Sequence, residues 1–588
     1  MDNKASGREP IQIIEIEQDF CTRTYGTAPC MAALGTTGTM KCFNTLATCQ
    51  DALNFDADKL TLRYTKPEAP RIPGVYTIPL LRSSSTAPTV INPGGGNRNA
   101  SPLGQRAVLR VQMMDGQGAD TLQDKYLDER GYDPLRRGTY WSKWLARNLF
   151  YRNNKISVLD GYKGQALNQF IRRDYIIDAI DGPGRGGEVT ITAKDVLVLA
   201  DDDKAKAPKP SKGELAEDMP TGAITRILIA GASLSDYPSA GTVRIGRECF
   251  AYTASSTELT NIKLTGITRA TDGTTVAAHK IGDKVQECLR YTNTRCDAIA
   301  YELLTVYGNV PAAYIDYVAW QAEADLWLNQ FELTSLITEP TGVKTLLGEI
   351  TEQCLFHIWW DERAQKIRLE ALKPPIYDTV PVLSEEKHII ADSVTIKDDQ
   401  GRRVSQVWIS WGQRDPTQSA TDANNYSRAR VSANLDSELP IRYGEAKIRQ
   451  IFSRWLQTEA QVANVGVRLL NRFTLPPKVV NLEVDAKDRD LWTGRVVDMT
   501  LGGVVDGSGA QVQTRYQIVS AEETDAGSRI ELQLEQYEYQ TIAGRYGRWM
   551  IDLAPDYAAA SPVEQETGFF WAEAGGKMPN GDNGYIWS

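Results

Sequence analysis

Histidine is almost missing from this 588-residue sequence: His279, His357 and His388 are the only three, and they lie far apart. So few imidazoles leave little from which to build a nucleophile–histidine triad, and nothing singles one of them out. Basic blocks are missing too. The 65 Lys and Arg are outnumbered by 75 Asp and Glu, for a net charge of −10. A sequence-independent grip on DNA needs clustered cations to replace counterions, so this balance argues against a nucleic-acid footprint. No apolar run approaches a membrane span, and MDNKASGREP offers no basic stretch followed by an apolar one. Neither a membrane anchor nor a secretory signal is expected, and folding in a cytoplasm follows. Walker A, G-x-S-x-G and H-E-x-x-H patterns do not occur. Gly182, Gly184 and Gly187 satisfy G-x-G-x-x-G but lie between two strands, where they read as a hairpin turn. The pairs Asp361-Glu362 and Glu385-Glu386 read as turn and surface charge rather than as a glycosidase dyad.

What the sequence does have is 13 Trp, 25 Tyr and an uneven distribution of cysteine. The aromatics suit subunit interfaces and β-rich cores equally well. Of eight cysteines, Cys21, Cys30, Cys42 and Cys49 crowd into 29 residues, while Cys249, Cys288, Cys296 and Cys354 are scattered. In a reducing compartment a tight cysteine group points to metal or redox chemistry before it points to disulfides.

A chain of this length exceeds one hydrophobic core and should divide into several domains. A short alternating strand over Ile11–Ile16 leads into the cysteine segment, which is rich in Gly, Thr and Ala and has little besides ligands to hold it folded. Residues 1–60 form this four-cysteine segment and 61–104 a connector ending in VINPGGGNRNASPLG. Two-residue alternation in RAVLRVQMMD, KISVLDGY, RRDYIIDAIDG and GEVTITAKDVLVLA predicts a first small β-barrel over 105–215. It is interrupted by the aromatic insertion LDERGYDPLRRGTYWSKWLARNLFYRN. Within that insertion, Arg136, Arg137, Lys143 and Arg147 alternate with Tyr140, Trp141 and Trp144, which reads as an amphipathic element packed on the barrel or on a neighbouring subunit rather than as a nucleic-acid surface.

Short strands with glycine turns over 216–290 predict an inserted sandwich or OB-like β domain. Residues 291–390 shift to an α+β pattern, with helical periodicity in CDAIAYELLTVYG, Ile315–Leu328 and Val343–Gln353 before the hairpin CLFHIWWDERAQKIRLEAL. A second barrel is expected over 391–543. Its helix opens on the capping pair Thr458 and Gln461, carries Ala460, Ala463, Val467 and Leu470 on one face, and stops at Pro476-Pro477. Residues 544–588 form a tail whose Phe569, Phe570, Trp571, Tyr585 and Trp587 would dock on a partner or on their own domain. The fold class is therefore α+β, β-rich and multi-domain.

Four segments resemble the hub or tail-tip (baseplate hub) proteins of long-tailed siphophages and gene transfer agents. They are DFCTRTYGTAPC with CFNTLATC; YDPLRRGTYWSKWLARNLFY with IIDAIDGPGRGGEVTITAKDVLVLADD; GTVRIGRECFAYT with LTGITRATDGTTVAAHKIGDKVQ; and LLNRFTLPP with LWTGRVVDMTL. The resemblance implies a homotrimeric ring of hub domains at the distal end of a virion tail tube, assembled in the bacterial host cytoplasm. It also implies two barrel domains flanking α+β hub domains, with an inserted domain between. Its partners would be distal tail and tape-measure proteins on one side and a central fibre or receptor-binding parts on the other. DNA would pass through the lumen during ejection without specific binding, in keeping with the acidic balance. The tail-tip protein of lambda-like phages is similar in having a four-cysteine iron–sulfur site with one wider and one narrower pair.

Here the pairs are Cys21-x8-Cys30 and Cys42-x6-Cys49, separated by eleven residues. Four thiolates serve a [4Fe-4S] cubane, one per iron, and long spacers let the chain wrap a core wider than one ion. Zinc more usually takes a C-x2-4-C knuckle, which neither pair supplies, and zinc or two local disulfides stay open as alternatives. No substrate pocket, second cofactor motif or C-x3-C-x2-C pattern accompanies the cysteines, so stapling is favoured over catalysis and the chain is read as no enzyme. The rival functions are an iron–sulfur redox enzyme, a tail-associated cell-wall hydrolase and a receptor-binding adhesin. Cys249, Cys288 and Cys296 read as buried small hydrophobes, and the C-x2-H pair Cys354 and His357 as core residues.

Overall fold

The computed structural model describes residues 8–95, 101–201, 203–373, 380–525 and 527–537, with short strands at 545–549, 569–571 and 585–586. The tail's aromatic side chains lie outside the described residues. The chain is α+β and β-rich, with several separate sheets joined by a helical centre.

The first sheet holds seven antiparallel strands: β1 (Pro10–Cys21), β2 (Ala57–Tyr64), β3 (Leu81–Ala87), β4 (Val108–Met114), β5 (Lys155–Tyr162), β6 (Ile171–Asp181) and β7 (Glu188–Lys194), in the spatial order β2-β1-β5-β6-β7-β4-β3. Alternation places Ile14, Ile16, Leu109, Val111, Ile156, Val158 and Ile191 on one buried face. Against that face packs α1 (Tyr140–Arg147), whose Trp141 and Trp144 are fully buried. The aromatic insertion thus packs on its own sheet. Gly182, at φ +112°, opens the β6–β7 hairpin, and the Gly184 N–H closes it on the Glu188 carbonyl at 2.9 Å.

Neither large sheet closes into the barrel that the strand pattern predicts. The edge strand β2 meets only the entry to β3: Tyr64 bridges Ile78, which precedes β3, and the Leu81 N–H at the start of β3 donates to the Thr65 carbonyl at 3.0 Å. The chain joining them carries Pro67, Pro70, Pro73 and Pro79, which donate no N–H to a ladder. The C-terminal sheet has six strands and ends in two short edges, Val382–Ser384 and Thr395–Asp398, too short to reach across. Between these sheets, a two-layer β unit packs a four-stranded on a three-stranded sheet, a sandwich built from strands between Glu214 and Glu287.

The largest core lies in the helical centre, where the helices Cys296–Glu302, Tyr317–Trp327 and Val343–Cys354 meet the hairpin Phe356–Asp361/Lys366–Ala371 and the helix Glu459–Phe473. Thr458 and Gln461 form the expected capping box. The buried face of that last helix, however, is Val462, Val465, Leu469 and Phe473, not Ala460, Ala463, Val467 and Leu470; Val467 is exposed. Arg468 and Arg472 share the buried face, where Arg468 donates to the Leu372 and Trp327 carbonyls and Arg472 pairs with the buried Glu535. Two guanidinium groups with carbonyl and carboxylate partners inside the core invert the polarity by which the face is read.

The first and last sheets touch through a buried ionic junction. Arg173 donates to Asp160 at 2.6 Å, Arg489 pairs with Glu523, and the Tyr162 hydroxyl donates to the Gly527 carbonyl at 2.8 Å. Beside it Arg8 donates to Asp485 at 3.0 Å, and the Trp360 indole N–H donates to the Asp174 carbonyl at 3.1 Å.

Candidate functional site: the four-cysteine loop

β1 and β2 pair down to Cys21 and Ala57, so residues 22–56 form a loop whose two ends are held at strand spacing. Cys21 is the last residue of β1 and is buried. Its N–H donates to the Asn44 carbonyl at 2.6 Å. Asn44, at φ +56°, returns its side-chain amide to the carbonyls of Cys21 at 3.0 Å and Arg23 at 3.2 Å. Asparagine tolerates this left-handed backbone, and here it ties the two cysteine pairs together. Cys30 closes a turn on the Thr27 carbonyl at 2.9 Å, and Cys49 one on Leu46 at 3.2 Å. The Asp51 carboxylate accepts from the Met31 N–H at 2.7 Å and from Asn54, bonds that hold it below its usual range.

The four sulfurs, 29 residues from first to last in sequence, line a single cavity together with Tyr25 and Asn44. All four are free thiols. Among the described residues, no group of three or more His, Cys, Asp and Glu side chains is set to hold one metal ion. Burial pushes the Cys42 thiol up; the backbone N–H of Asn44 opposes this, and the charges of Cys49, Cys30 and Cys21 add to it. Cys49 is raised likewise by burial, opposed by the Asp51 N–H, which donates to its sulfur at 3.4 Å. Burial thus favours the protonated form of Cys42 and Cys49, a preference that a cation held between them would oppose.

Sequence reasoning missed the outer support. The chain before α1 folds over the cysteine loop: the Tyr25 N–H donates to the Tyr126 hydroxyl at 2.7 Å, and Lys41 pairs with Glu129 at 2.6 Å. Arg130 donates to the Lys41 carbonyl at 2.7 Å and the Cys42 carbonyl at 2.9 Å, while two further N–H groups reach Asp124 at 2.7 and 2.8 Å. Its guanidinium lies 4.1 Å from the centre of the Phe43 ring, and that of Arg147 lies 4.0 Å from the same centre. Arg147 and Lys143 in turn pair with Asp120 at 2.7 and 2.8 Å. No spacing rule links Arg130 to Cys42, 88 residues earlier.

The other cysteines are buried. Cys249 adjoins Cys288 and Leu336, and Cys354 adjoins Cys296. His357 is buried, stacked on Trp359 with ring centres 5.2 Å apart and with Glu370 3.6 Å away. The C-x2-H pair is thus split, Cys354 ending a helix and His357 lying in the following strand.

No protein-family model matches the chain, and no curated protein matches it. Among solved structures it is similar to the tail protein from Neisseria meningitidis MC58, at 11% identity and a TM-score of 0.36, covering 77% of this chain and 97% of that one. It is also similar to the 43 kDa tail protein of prophage MuSo2 from Shewanella oneidensis, at 11% identity and a TM-score of 0.33, covering 77% and 97%. A third is the Francisella PdpA–VgrG complex, at 9% identity and a TM-score of 0.30, covering 93% of this chain and 63% of that one.

Proposed function

We propose that this chain is a structural hub protein of a bacteriophage tail tip or baseplate, carrying a [4Fe-4S] cluster on Cys21, Cys30, Cys42 and Cys49. The observation behind the cluster is the gathering of four thiols around one cavity. Zinc usually draws its cysteines from a C-x2-4-C knuckle, which neither Cys21-x8-Cys30 nor Cys42-x6-Cys49 supplies. A cubane instead takes one thiolate per iron at the corners of a wider core. When bound, the cluster supplies four cross-links to a loop with few apolar residues to bury. Cys21 would tie it to β1, and Cys30, Cys42 and Cys49 would tie its turns to one another. Its role is structural, and the chain is not an enzyme.

The hub half of the reading is supported by the four sequence segments that resemble tail-tip proteins. In it three copies form a ring that continues the tail tube, with distal tail, tape-measure and central fibre proteins as neighbours. The net charge of −10 suits a lumen that conducts DNA without holding it.

Anaerobic purification followed by iron and sulfide analysis and absorption spectroscopy tests the cluster. Bound iron with sulfide and a thiolate-to-iron charge-transfer band is expected; zinc alone, or no metal with intact thiols, overturns it. Sedimentation and tail-assembly assays test the hub. A chain that stays monomeric and never joins tail tips overturns that part.

A further inference from the structure

We propose that Arg130, fixed by Asp124 and lying over the Phe43 ring that Arg147 also contacts, is a positioning residue that holds the Cys42 backbone in place before any metal binds. The inference rests on the reading of the four thiols as a cluster site. It adds that the site is a preformed receptor and not a loop that folds around iron.

The geometry is specific to a planar fork. The guanidinium carbon lies over Phe43, 4.1 Å from the ring centre, two of its N–H groups close on Asp124, and others cap two successive carbonyls, Lys41 and Cys42. Both members of the ion pair are buried, with side chains 3% and 0% exposed. Lysine could keep the charge but could not reproduce the fork, because an ammonium has no rigid plane and no stacking face. Capping the Lys41 and Cys42 carbonyls fixes the peptide planes on both sides of the Cys42 Cα and thereby the direction of its Cα–Cβ bond. Arg147 lies over the same ring, 4.0 Å from its centre, and is itself anchored on Asp120. The segment that composition reads as unable to hold itself therefore has a second fastening, supplied from the chain some ninety residues downstream.

The experiment uses the full chain in metal-free and iron-loaded forms, with variants R130K, R130M and D124N and the exposed control R136M. Amide exchange over residues 41–44 in the metal-free protein is the first readout. R130K, R130M and D124N should each exchange at least tenfold faster than the parent, and R136M at the parental rate. The second readout is iron release to a chelator, together with the shape of the charge-transfer band. R130K and R130M should release iron at least tenfold faster and show an altered band. If the metal-free variants exchange at the parental rate, the positioning role fails whether or not iron binds. If the parent binds no iron, the cluster reading fails, while the exchange arm still decides whether Arg130 orders the segment. D124N retains Arg130 and so remains informative if R130M does not fold.

Discussion

The two small units of this chain, the cysteine loop and the inserted β sandwich, solve the same problem by opposite means. Each stands outside the large central core. The sandwich buries twelve residues in its own core, from Leu215 and Met219 to Leu264 and Val285. The cysteine loop has only Tyr25 and Ala32 buried together with Tyr126, and Tyr126 belongs to the clamping chain. Both also use a buried charge. In the sandwich, Glu248 accepts from Arg269 twice at 2.8 Å, from the Ala277 N–H at 2.9 Å and from His279 at 2.9 Å. There the ionic cluster fastens a loop onto an apolar core that already exists. In the cysteine loop, Arg130 and Asp124 stand where such a core would be.

The sharpest break is Phe250→Ala. Phe250 is fully buried in the sandwich, and its loss should cost about 3–5 kcal/mol and open the region between Glu214 and Glu287, read by amide exchange. Iron content at the cysteines should not change; a parallel loss of iron would mean that the two units are not independent. Next is Glu248→Gln, expected to cost about 3 kcal/mol because Arg269 keeps its buried charge without a counter-charge. Burial alone would raise the Glu248 carboxyl, but its bonds from Arg269, Ala277 and His279 outweigh this and hold it below its usual value of 4.5. A folded value below the unfolded one adds stability above pH 4.5 that is lost as pH falls through the folded value, and Glu248→Gln should remove that acid sensitivity in denaturation curves.

Glu287 has the reverse sign. Burial pushes it up to about 8 against the opposing bond from Tyr252. Because the folded state keeps its proton longer, the sandwich should lose stability as pH rises from 4.5 toward 8, and Glu287→Gln should flatten that slope. The smallest effect belongs to the cysteine loop. Leu53 is 99% exposed, so Leu53→Ala should change stability by less than about 0.5 kcal/mol in thermal unfolding. A larger loss would show that the loop has an apolar partner and is less different from the sandwich than its own packing indicates.

Sequence pattern carried the strands and helix ends well, because alternation and capping are local. RAVLRVQMMD became β4, and Thr458 with Gln461 opens its helix as expected. Barrel closure was not legible, since it depends on whether a proline-rich connector can ladder with a distant edge. The buried face of the helix Glu459–Phe473 was misread because Arg468 and Arg472 find carbonyl and carboxylate partners from residues 63 to 141 positions away. At the cysteines, clustering alone named the four residues that share a cavity. What orders them, Arg130 and Tyr126, comes from a segment whose aromatic and charged pattern pointed only to packing.

The junction of the first and last sheets imposes a timetable on synthesis. Tyr162 finds its carbonyl partner 365 residues later, so at 5–20 residues per second the N-terminal sheet emerges roughly 20 to 70 seconds before Gly527 exists. Throughout that interval Arg173 and Asp160 have each other but not the Arg489–Glu523 pair that finally encloses them. A chain truncated before residue 523 would keep an open, charged flank on its first sheet. Translation to the far end thus becomes a condition for burying the beginning, and a prematurely ended product would carry its defect on its surface, where chaperones and proteases read it.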